Sequence, residues 1–343
     1  MARKRTKSGK IRLTEVAQLA GVSHITASRF FRNPEALSLD KRERVESAAK
    51  ELGYVPNLAA RALASHRTEV IGVLIPSLTN NVFSDVLRGI YDASEGSRYS
   101  IQFVNTRYSI LQEEKLLRLF RAQKPAGLIV TGINQTADSR AVLESMNCPV
   151  TQIMEIGDSP VDMMVGFSHY DAGFAAISHI LAQRRRRIGF LGARMDPRVQ
   201  RRFEGYRDAM KAASLFDPNL IVTTTVPTTV TLGGTLFADL VARSPDIDAV
   251  FCVNDDLALG VLFECQRRQI LVPRDLAIVG FNDLEFMASA VPSLTSVRTN
   301  RYEMGRHAVT MVIDAIEGRR PEMAVLDLGF QLMVRESSTA QDT

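Results

Sequence analysis

The chain of 343 residues is long enough for two or three domains, and its 45% of apolar residues can build a core, which excludes wholesale disorder. No apolar run approaches the roughly 18–20 residues that cross a bilayer, and no secretory signal follows the basic start, so we expect a cytoplasmic protein. Residues 1–68 hold 14 of the 42 Lys and Arg but only 6 of the 38 Asp and Glu, so this segment carries +8 and the remainder −4. Concentrated positive charge favours a polyanionic partner such as DNA, although the first 12 residues alone fit a solvated tail equally well.

The basic segment contains the pattern of two closely crossing helices. Apolar residues recur at helical spacing in residues 13–20. Gly21 can form a tight turn, and Ser23 is a good N-cap for a second helix over residues 24–31. Ala17 and Gly21 are both small and lie four apart, which is the spacing of a helix-turn-helix.

A third helix is predicted between the N-cap Ser38 and Gly53, and three short helices can enclose one small core. An arbitrary three-helix bundle fits this spacing too, but the text VAQLAGVSHITASRFFRNPE is more specific. It resembles the lactose/galactose repressor family of bacterial transcription regulators, whose heads read VAxLAGVSxxTVSRxLN. The match continues through RERVESAAKELGYVPNLAARALAS into IGVLIPSL. Ala27, Phe30 and Phe31 depart from the family's commoner residues, and we expect the core to repack around them.

The resemblance implies that the second helix reads duplex DNA in the major groove. It places His24 and Ile25 at base-discriminating positions and Arg29 at a base-contacting one. Other residues of the implied DNA interface, including hydroxyls suited to phosphate contacts, are Thr14, Ser23, Thr26, Ser28, Asn57 and Ala60. Without the resemblance, these side chains would be ordinary exposed helix surface.

Residues 56–68 form a short, Ala-rich segment that is too short to be a stable helix alone. The resemblance implies a hinge helix that pairs with a second copy in the minor groove, where Leu63 wedges between base pairs. The alternative is a plain linker helix with Leu63 packed on the body. In the hinge interpretation, anything that spreads the two attachment points separates the hinges and releases the DNA.

From Val70 onward, short β-type runs alternate with amphipathic helices, which predicts parallel sheets covered on both faces. The strand-like runs are 70–75, 101–104, 127–130, 187–192, 249–253 and 276–280, and helical patterns cover 83–94, 112–123 and 172–183. The resemblance implies two such lobes joined by three crossovers, as in periplasmic sugar-binding proteins. The predicted fold class is therefore an N-terminal all-α helix-turn-helix head followed by an α/β body of two doubly wound parallel-sheet lobes.

The predicted organisation has four parts. They are a basic arm with the helix-turn-helix DNA-binding domain (1–55), a hinge helix and linker (56–68), a two-lobed effector-binding and dimerisation domain (69–335) and a polar tail (336–343). The tail lacks the apolar heptads that tetramerise one branch of the family, so we expect a homodimer.

Candidate effector-binding residues lie just after strands, where ligands of parallel sheets bind. The resemblance carries the following onto ligand-lining positions: Asn80, Phe83, Glu155, Phe167, Arg202, Asn254 and Asn282. A slip of one in the alignment would put Met154 in place of Glu155. Each candidate also has a structural interpretation, because the asparagines can cap the following helices, the phenylalanines can be core and Arg202 can form a surface ion pair.

Amides, one arginine and few aromatic side chains suit a ligand with many hydroxyls, and an arginine fork can clamp a carboxylate. Asn282 stands where many relatives carry Asp, and Thr228 and Thr229 lie near where relatives often place an aromatic plate. Both features favour a sugar acid as the ligand. Three segments are similar to the gluconate-repressor branch of the family: IGVLIPSLTNNVFSDVLRGI, IDAVFCVNDDLALGVLFECQRR and DMMVGFS. The implied protein represses gluconate or ketogluconate utilisation genes and leaves a palindromic operator when gluconate or 6-phosphogluconate binds between the lobes.

Several other classes fit less well. The sequence lacks GxGxxG, GxxxxGKS/T, HExxH and GxSxG, so we expect no enzyme. Three widely spaced cysteines without CxxC argue against structural zinc or a disulfide framework, and we expect no metal or cofactor. Control by another sugar or polyol, activation, and corepressor-dependent repression remain open. A solute-binding receptor would need an export signal and would have no use for the head.

Overall fold

The computed structural model describes residues 11–55 and 68–339, and the structural statements below refer to these residues. The chain separates into a head unit that ends at Thr68 and a body unit that begins at Glu69. Head and body each build a hydrophobic core of their own.

The described part of the head, residues 11–55, consists of three helices and one short 3-10 turn, which are α1 (Leu13–Leu19), α2 (His24–Arg32), Pro34–Ala36 and α3 (Leu39–Leu52). Gly21, at a φ of 62°, makes the tight turn between α1 and α2. The Ser23 hydroxyl accepts a hydrogen bond from the Thr26 N–H at 3.1 Å and so caps α2. Ser38 occupies the N-cap position of α3, as predicted, but its hydroxyl makes no capping bond. The head therefore has the helix-turn-helix geometry that its sequence indicates.

Small and branched side chains fill the centre of the head. Val16, Ala27 and Val45 are fully buried there. Phe30 and Phe31 pack edge to face at the rim of this core, with ring centroids 5.1 Å apart. The small Ala27 and the two large rings together explain how the head keeps its fold despite departing from the family's commoner residues.

The first lobe of the body is built on a six-stranded sheet in which all neighbouring strands are parallel. The strands are β1 (Val70–Ile75), β2 (Ser100–Asn105), β3 (Gly127–Thr131), β4 (Val150–Ile153), β5 (Met163–Gly166) and β11 (Val325–Asp327). Their order across the sheet is β11-β5-β4-β3-β1-β2. Its helices are α4 (Val82–Ser94), α5 (Ile110–Gln123), α6 (Ala137–Glu144) and α12 (Arg301–Ile316).

The second lobe has a sheet of the same size in the order β12-β10-β9-β8-β6-β7, parallel except for the β10–β12 pair. Its strands are β6 (Ile188–Ala193), β7 (Ile221–Thr224), β8 (Ala249–Cys252), β9 (Ala277–Asn282), β10 (Thr295–Thr299) and β12 (Phe330–Met333). Its helices are α7 (His169–Ala182), α8 (Pro197–Ala212), α9 (Val230–Arg243), α10 (Asp255–Arg268) and α11 (Glu285–Ser289), with a 3-10 turn at Pro218–Leu220.

The chain passes between the lobes three times, after β5, after β10 and after β11. The three predicted crossovers and the two doubly wound lobes are thus confirmed. In the first lobe, α12 packs tightly on α4, because Gly89 faces the backbone of α12 and Gly305 faces the backbone of α4, where a Cβ on either residue would collide with a carbonyl. This contact ties the segment that returns after β10 to the first helix of the lobe.

The C-terminal segment, predicted as a polar tail over residues 336–343, is described as far as residue 339. Ser337 and Ser338 are almost completely buried. The Ser337 hydroxyl donates to the Ile278 carbonyl at 2.6 Å and accepts from the Thr295 N–H at 2.8 Å. The described part of the segment is therefore built into the second lobe, since its hydroxyls satisfy backbone groups of β9 and β10.

Among the described residues, no helix is long and apolar enough to cross a membrane.

Candidate functional site

The outward face of α2 carries the residues predicted to read DNA. His24, Ile25 and Arg29 are exposed, whereas Ala27 on the opposite side of the helix is buried. At roughly 100° per residue, His24, Ile25, Ser28 and Arg29 fall within an arc of about 140°. Ile25 is 68% exposed, which leaves a large apolar side chain free for contact on this face. The arrangement presents one cation, one imidazole and one apolar group side by side, as a major-groove helix requires.

Two residues predicted to contact the DNA phosphates, Ser23 and Thr26, lie at the start of α2, and their hydroxyl oxygens are 2.8 Å apart. Ser23 is exposed, and so is Thr14, which lies on α1. Three predicted DNA-binding residues, Asn57, Ala60 and Leu63, lie outside the described residues.

In the body, the predicted effector residues follow the C-terminal ends of strands in both sheets. Asn80 and Phe83 follow β1, Glu155 follows β4 and Phe167 follows β5. In the second lobe, Arg202 lies on α8 after β6, Asn254 follows β8, and Asn282 ends β9. The structure brings Glu155, Phe167 and Arg202 together around one residue that sequence reasoning did not select, His169.

His169 lies at the N-terminus of α7, directly after the first crossover, and is completely buried. Its Nε2 lies 2.8 Å from the Met154 carbonyl, and its Nδ1 accepts a hydrogen bond from the Arg202 Nε at 3.1 Å. Burial lowers the pKa of His169 well below its usual value, and the charge of Arg202 lowers it further. The ring is therefore neutral, and it donates from Nε2 because Nδ1 accepts.

Arg202 is the buried cation of this cluster. Besides its bond to His169, its Nη1 donates to the Val253 carbonyl, and its guanidinium carbon lies 3.7 Å from the centroid of the Phe281 ring. The Phe167 ring lies 4.3 Å from His169, centroid to centroid. Burial lowers the pKa of Arg202 to about 9, so the guanidinium stays charged at neutral pH. The interpretation of Arg202 as an exposed ion-pair residue is wrong.

Glu155 closes the cluster on the side of the first lobe. Its Oε1 accepts from the His169 N–H at 3.4 Å, whereas its buried Oε2 has no hydrogen-bond partner in the described structure. Burial raises the pKa of Glu155 to about 7. Met154, the alternative candidate, is also buried, but it contributes its backbone carbonyl to His169.

A second group of contacts joins Asn80 and Phe83 to the loops that face them. The Asn80 Nδ2 donates to the Tyr108 hydroxyl at 3.3 Å, and its Oδ1 accepts from the Val82 N–H at 3.0 Å. The guanidinium carbon of Arg198, on α8 of the second lobe, lies 5.7 Å from the centroid of the Phe83 ring. Residues from both lobes therefore meet here.

The two remaining asparagines behave differently. Asn254 caps α10, since its Oδ1 accepts from the Leu257 N–H at 3.2 Å, and its Nδ2 donates to the Thr228 hydroxyl at 2.9 Å. Asn282 is buried at a φ of 111°, a conformation that side-chain-bearing residues rarely adopt, and its carbonyl accepts from Arg301. Such strain is concentrated at ligand sites.

Sequence reasoning missed three contributors, His169, Arg198 and Tyr108. His169 and Tyr108 follow strands at the same sheet edges as the chosen residues, and that placement was the available signal. Arg198 lies in a run of arginines that looks like a solvated surface, but its side chain is only 12% exposed.

Comparison with known protein families finds one match in the head and another in part of the body. The family described as bacterial regulatory proteins, lacI family, matches residues 12–57, and a periplasmic binding protein-like domain matches residues 177–338. The HTH-type transcriptional regulator GntR of Pseudomonas aeruginosa is 42% identical over 331 residues, which cover 96% of each chain. The chain belongs to the LacI family. It is a DNA-binding transcriptional regulator, and the predicted resemblance is confirmed.

Other relatives and solved structures similar to this chain are also transcriptional regulators. The HTH-type transcriptional regulator IdnR of Escherichia coli is 33% identical over 95% of this chain and 98% of its own length. The crystal structure of the transcription regulator GntR from Chromobacterium violaceum superposes with a TM-score of 0.76 at 40% identity, covering 78% of this chain and 99% of that one. A LacI-family regulator from Silicibacter pomeroyi gives a TM-score of 0.87 at 33% identity, covering 96% of this chain and all of that one. The relatives are named as transcriptional regulators, not as enzymes.

Proposed function

We propose that the protein is a cytoplasmic repressor of sugar-acid utilisation genes that binds a palindromic operator as a homodimer. Its effector is gluconate or a related acid such as a ketogluconate or 6-phosphogluconate, which binds between the two lobes and releases the operator. In this proposal the effector changes the angle between the lobes, which alters the spacing of the paired hinge segments and so lowers the affinity for DNA.

The observation that carries the proposal is the buried, charged Arg202 beside His169, together with the amide and hydroxyl groups of Asn80, Tyr108, Asn254 and Thr228 in the loops that follow strands of both lobes. A polyhydroxylated acid needs many neutral hydrogen-bonding groups and one fixed cation, and this set supplies both. Two relatives of 40% identity or more carry the name GntR, which supports an effector of the gluconate type.

The DNA half of the proposal depends on the exposed face of α2. Duplexes upstream of sugar-acid genes, or duplexes selected by the protein from a random pool, are titrated in fluorescence anisotropy at fixed salt. We expect a near-palindromic sequence, since a symmetric dimer presents two copies of α2. Adding D-gluconate or 6-phosphogluconate should release the duplex, and neutral sugars should not. Operator binding that ignores every acid contradicts the proposed effector.

The effector half is tested at Arg202 by calorimetry with D-gluconate. We expect Arg202→Ala to weaken binding by about 100-fold or more, because it removes a charged donor and leaves the His169 Nδ1 and the Val253 carbonyl without their partner. Arg207→Ala is the matched control, since Arg207 lies on the same helix but pairs with the neighbouring Asp208. A folded Arg202→Ala variant that binds gluconate at full strength rules out a role for this cation.

A further inference from the structure

Most of the hydrogen-bonding capacity of Arg202 is used inside the protein. Its Nε bonds to His169, its Nη1 bonds to the Val253 carbonyl, and its flat face covers the Phe281 ring. Among the described residues, only Nη2 is left without a hydrogen bond. A carboxylate gains most from two parallel N–H donors of one guanidinium, and Arg202 has fewer uncommitted donors for such a pair because its Nε and one Nη1 N–H are already engaged.

Arg198 is the cation with donors to spare. Only its Nε makes a side-chain hydrogen bond in the described structure, at 3.4 Å to the Asp196 Oδ1. That oxygen also accepts from the backbone N–H groups of Arg198 and Val199, so Asp196 is shared with the cap of α8. The two Nη groups of Arg198 therefore remain available as a parallel pair, on a side chain that is largely shielded from water.

The surroundings fix the position of Arg198 between the lobes. Its guanidinium carbon lies 5.7 Å from the Phe83 ring centroid and 5.9 Å from that of Tyr108, both in the first lobe. The guanidinium of Arg194 lies 3.9 Å from the same Tyr108 ring. Aromatic faces orient a guanidinium without consuming its N–H donors, so the fork stays directed for a ligand.

The charge balance in this part of the cleft also favours an anion. Arg198 and Arg202 interact with three carboxyl groups, Asp196, Glu155 and Asp255, and Arg194 lies against the Tyr108 ring beside Arg198. Burial raises the pKa of both Glu155 and Asp255 to about 7, so their negative charges are incomplete at neutral pH. The site therefore keeps an excess of positive charge that an anionic ligand can neutralise.

Resting on the proposed function, we propose that Arg198 is the residue that binds the carboxylate of the sugar acid and so selects acids over neutral polyols. Arg202 then holds the wall of the site through His169 and Phe281 and offers its remaining Nη2 to the hydroxyls of the ligand.

The test compares two probes that differ only at one end of the carbon chain. D-sorbitol carries a CH2OH group where D-gluconate carries its carboxylate, so the ratio of their affinities isolates the recognition of the acid. Calorimetry is run on the full chain with the wild type, R198Q, R198K and the control R207Q, and thermal melts check that each variant is folded. We expect R198Q to weaken gluconate binding by about 10- to 100-fold and sorbitol binding by less than about threefold. R198K should lie between R198Q and the wild type, and R207Q should match the wild type.

Two results overturn the inference while leaving the proposed function intact. One is gluconate binding by R198Q within about twofold of the wild type, and the other is an equal loss of gluconate and sorbitol binding, which indicates a role in shape. Should R198Q fail to fold, R198K decides, because wild-type affinity in a variant without the guanidinium fork contradicts the proposal. Wild-type protein that binds no sugar acid refutes the proposed effector, and the role of Arg198 falls with it.

Discussion

At the scale of single residues, Glu155 makes the stability of the body depend on pH. Burial raises its pKa to about 7 in the folded state, above the ordinary value of about 4.3 that it regains on unfolding. The folded state thus binds the proton more tightly, so stability falls as the pH rises from about 4.5 to 7 and stays lower above that. We expect Glu155→Gln, which imitates the protonated group, to stabilise the protein by about 2 kcal/mol more at pH 8 than at pH 5.

Urea denaturation of the wild type and this variant at both pH values measures the difference. Glu144→Gln is the control, because the exposed Glu144 side chain bonds only to Arg140 in the described structure. This substitution should change the free energy of unfolding by the same amount at both pH values. Parallel pH profiles for the wild type and Glu155→Gln would show that the carboxyl group is not desolvated.

The sequence predicted part of this site because its polar residues follow strands. For Asn80 and Asn254 the structural interpretation is confirmed, since each side-chain oxygen accepts from an N–H at the start of a helix, and contact with an effector stays a prediction. His169 carried the same signal and was overlooked, whereas Arg198 was out of reach, because its role depends on contacts with Phe83 and Tyr108, which lie far away along the chain. Periodicity reports whether a residue is buried, but not which distant group it meets.

At the scale of elements, the strands with continuous apolar runs were predicted to within about two residues. β5, β7, β10 and β11 were not, and β11, only three residues long, finds its partner β5 only after the chain has returned from the second lobe. The segment after β12 was predicted only as a polar tail, because composition does not report what its hydroxyl groups bond to. In the structure, Ser337 and Ser338 satisfy backbone groups and side chains of the second lobe.

This element gives a direct test of stability. Ser337→Ala leaves the Ile278 carbonyl and the Thr295 N–H without their hydroxyl partner inside the sheet. We expect a loss of about 1–3 kcal/mol in the free energy of unfolding. Ser178→Ala is the matched control, because that exposed hydroxyl donates only to the Phe174 carbonyl of its own helix. Equal urea midpoints for the two variants would contradict the structural role of the segment.

At the scale of the whole molecule, strand–helix alternation predicted the α/β class, and the resemblance to a known family supplied the lobes. Alternation alone does not fix the strand order, because helices that cover parallel strands fit several orders equally well. The two six-stranded sheets and the three crossovers instead follow from the family motifs that extend along the chain. The same motifs are typical of proteins in which a DNA-binding head precedes a ligand-binding body. The property to measure is therefore the coupling between effector binding and operator binding.

That coupling has a thermodynamic consequence which the proposed function cannot avoid. If D-gluconate lowers the operator affinity by some factor, the operator must lower the gluconate affinity by the same factor, which we expect to be roughly 5- to 150-fold. Anisotropy with and without gluconate gives the first factor, and calorimetry with and without saturating operator duplex gives the second. A scrambled duplex is the control and should leave gluconate binding unchanged. A factor of one in both titrations would contradict the proposed coupling, whereas two factors that differ by more than about threefold under identical salt would mean that the two titrations do not report the same binding equilibrium.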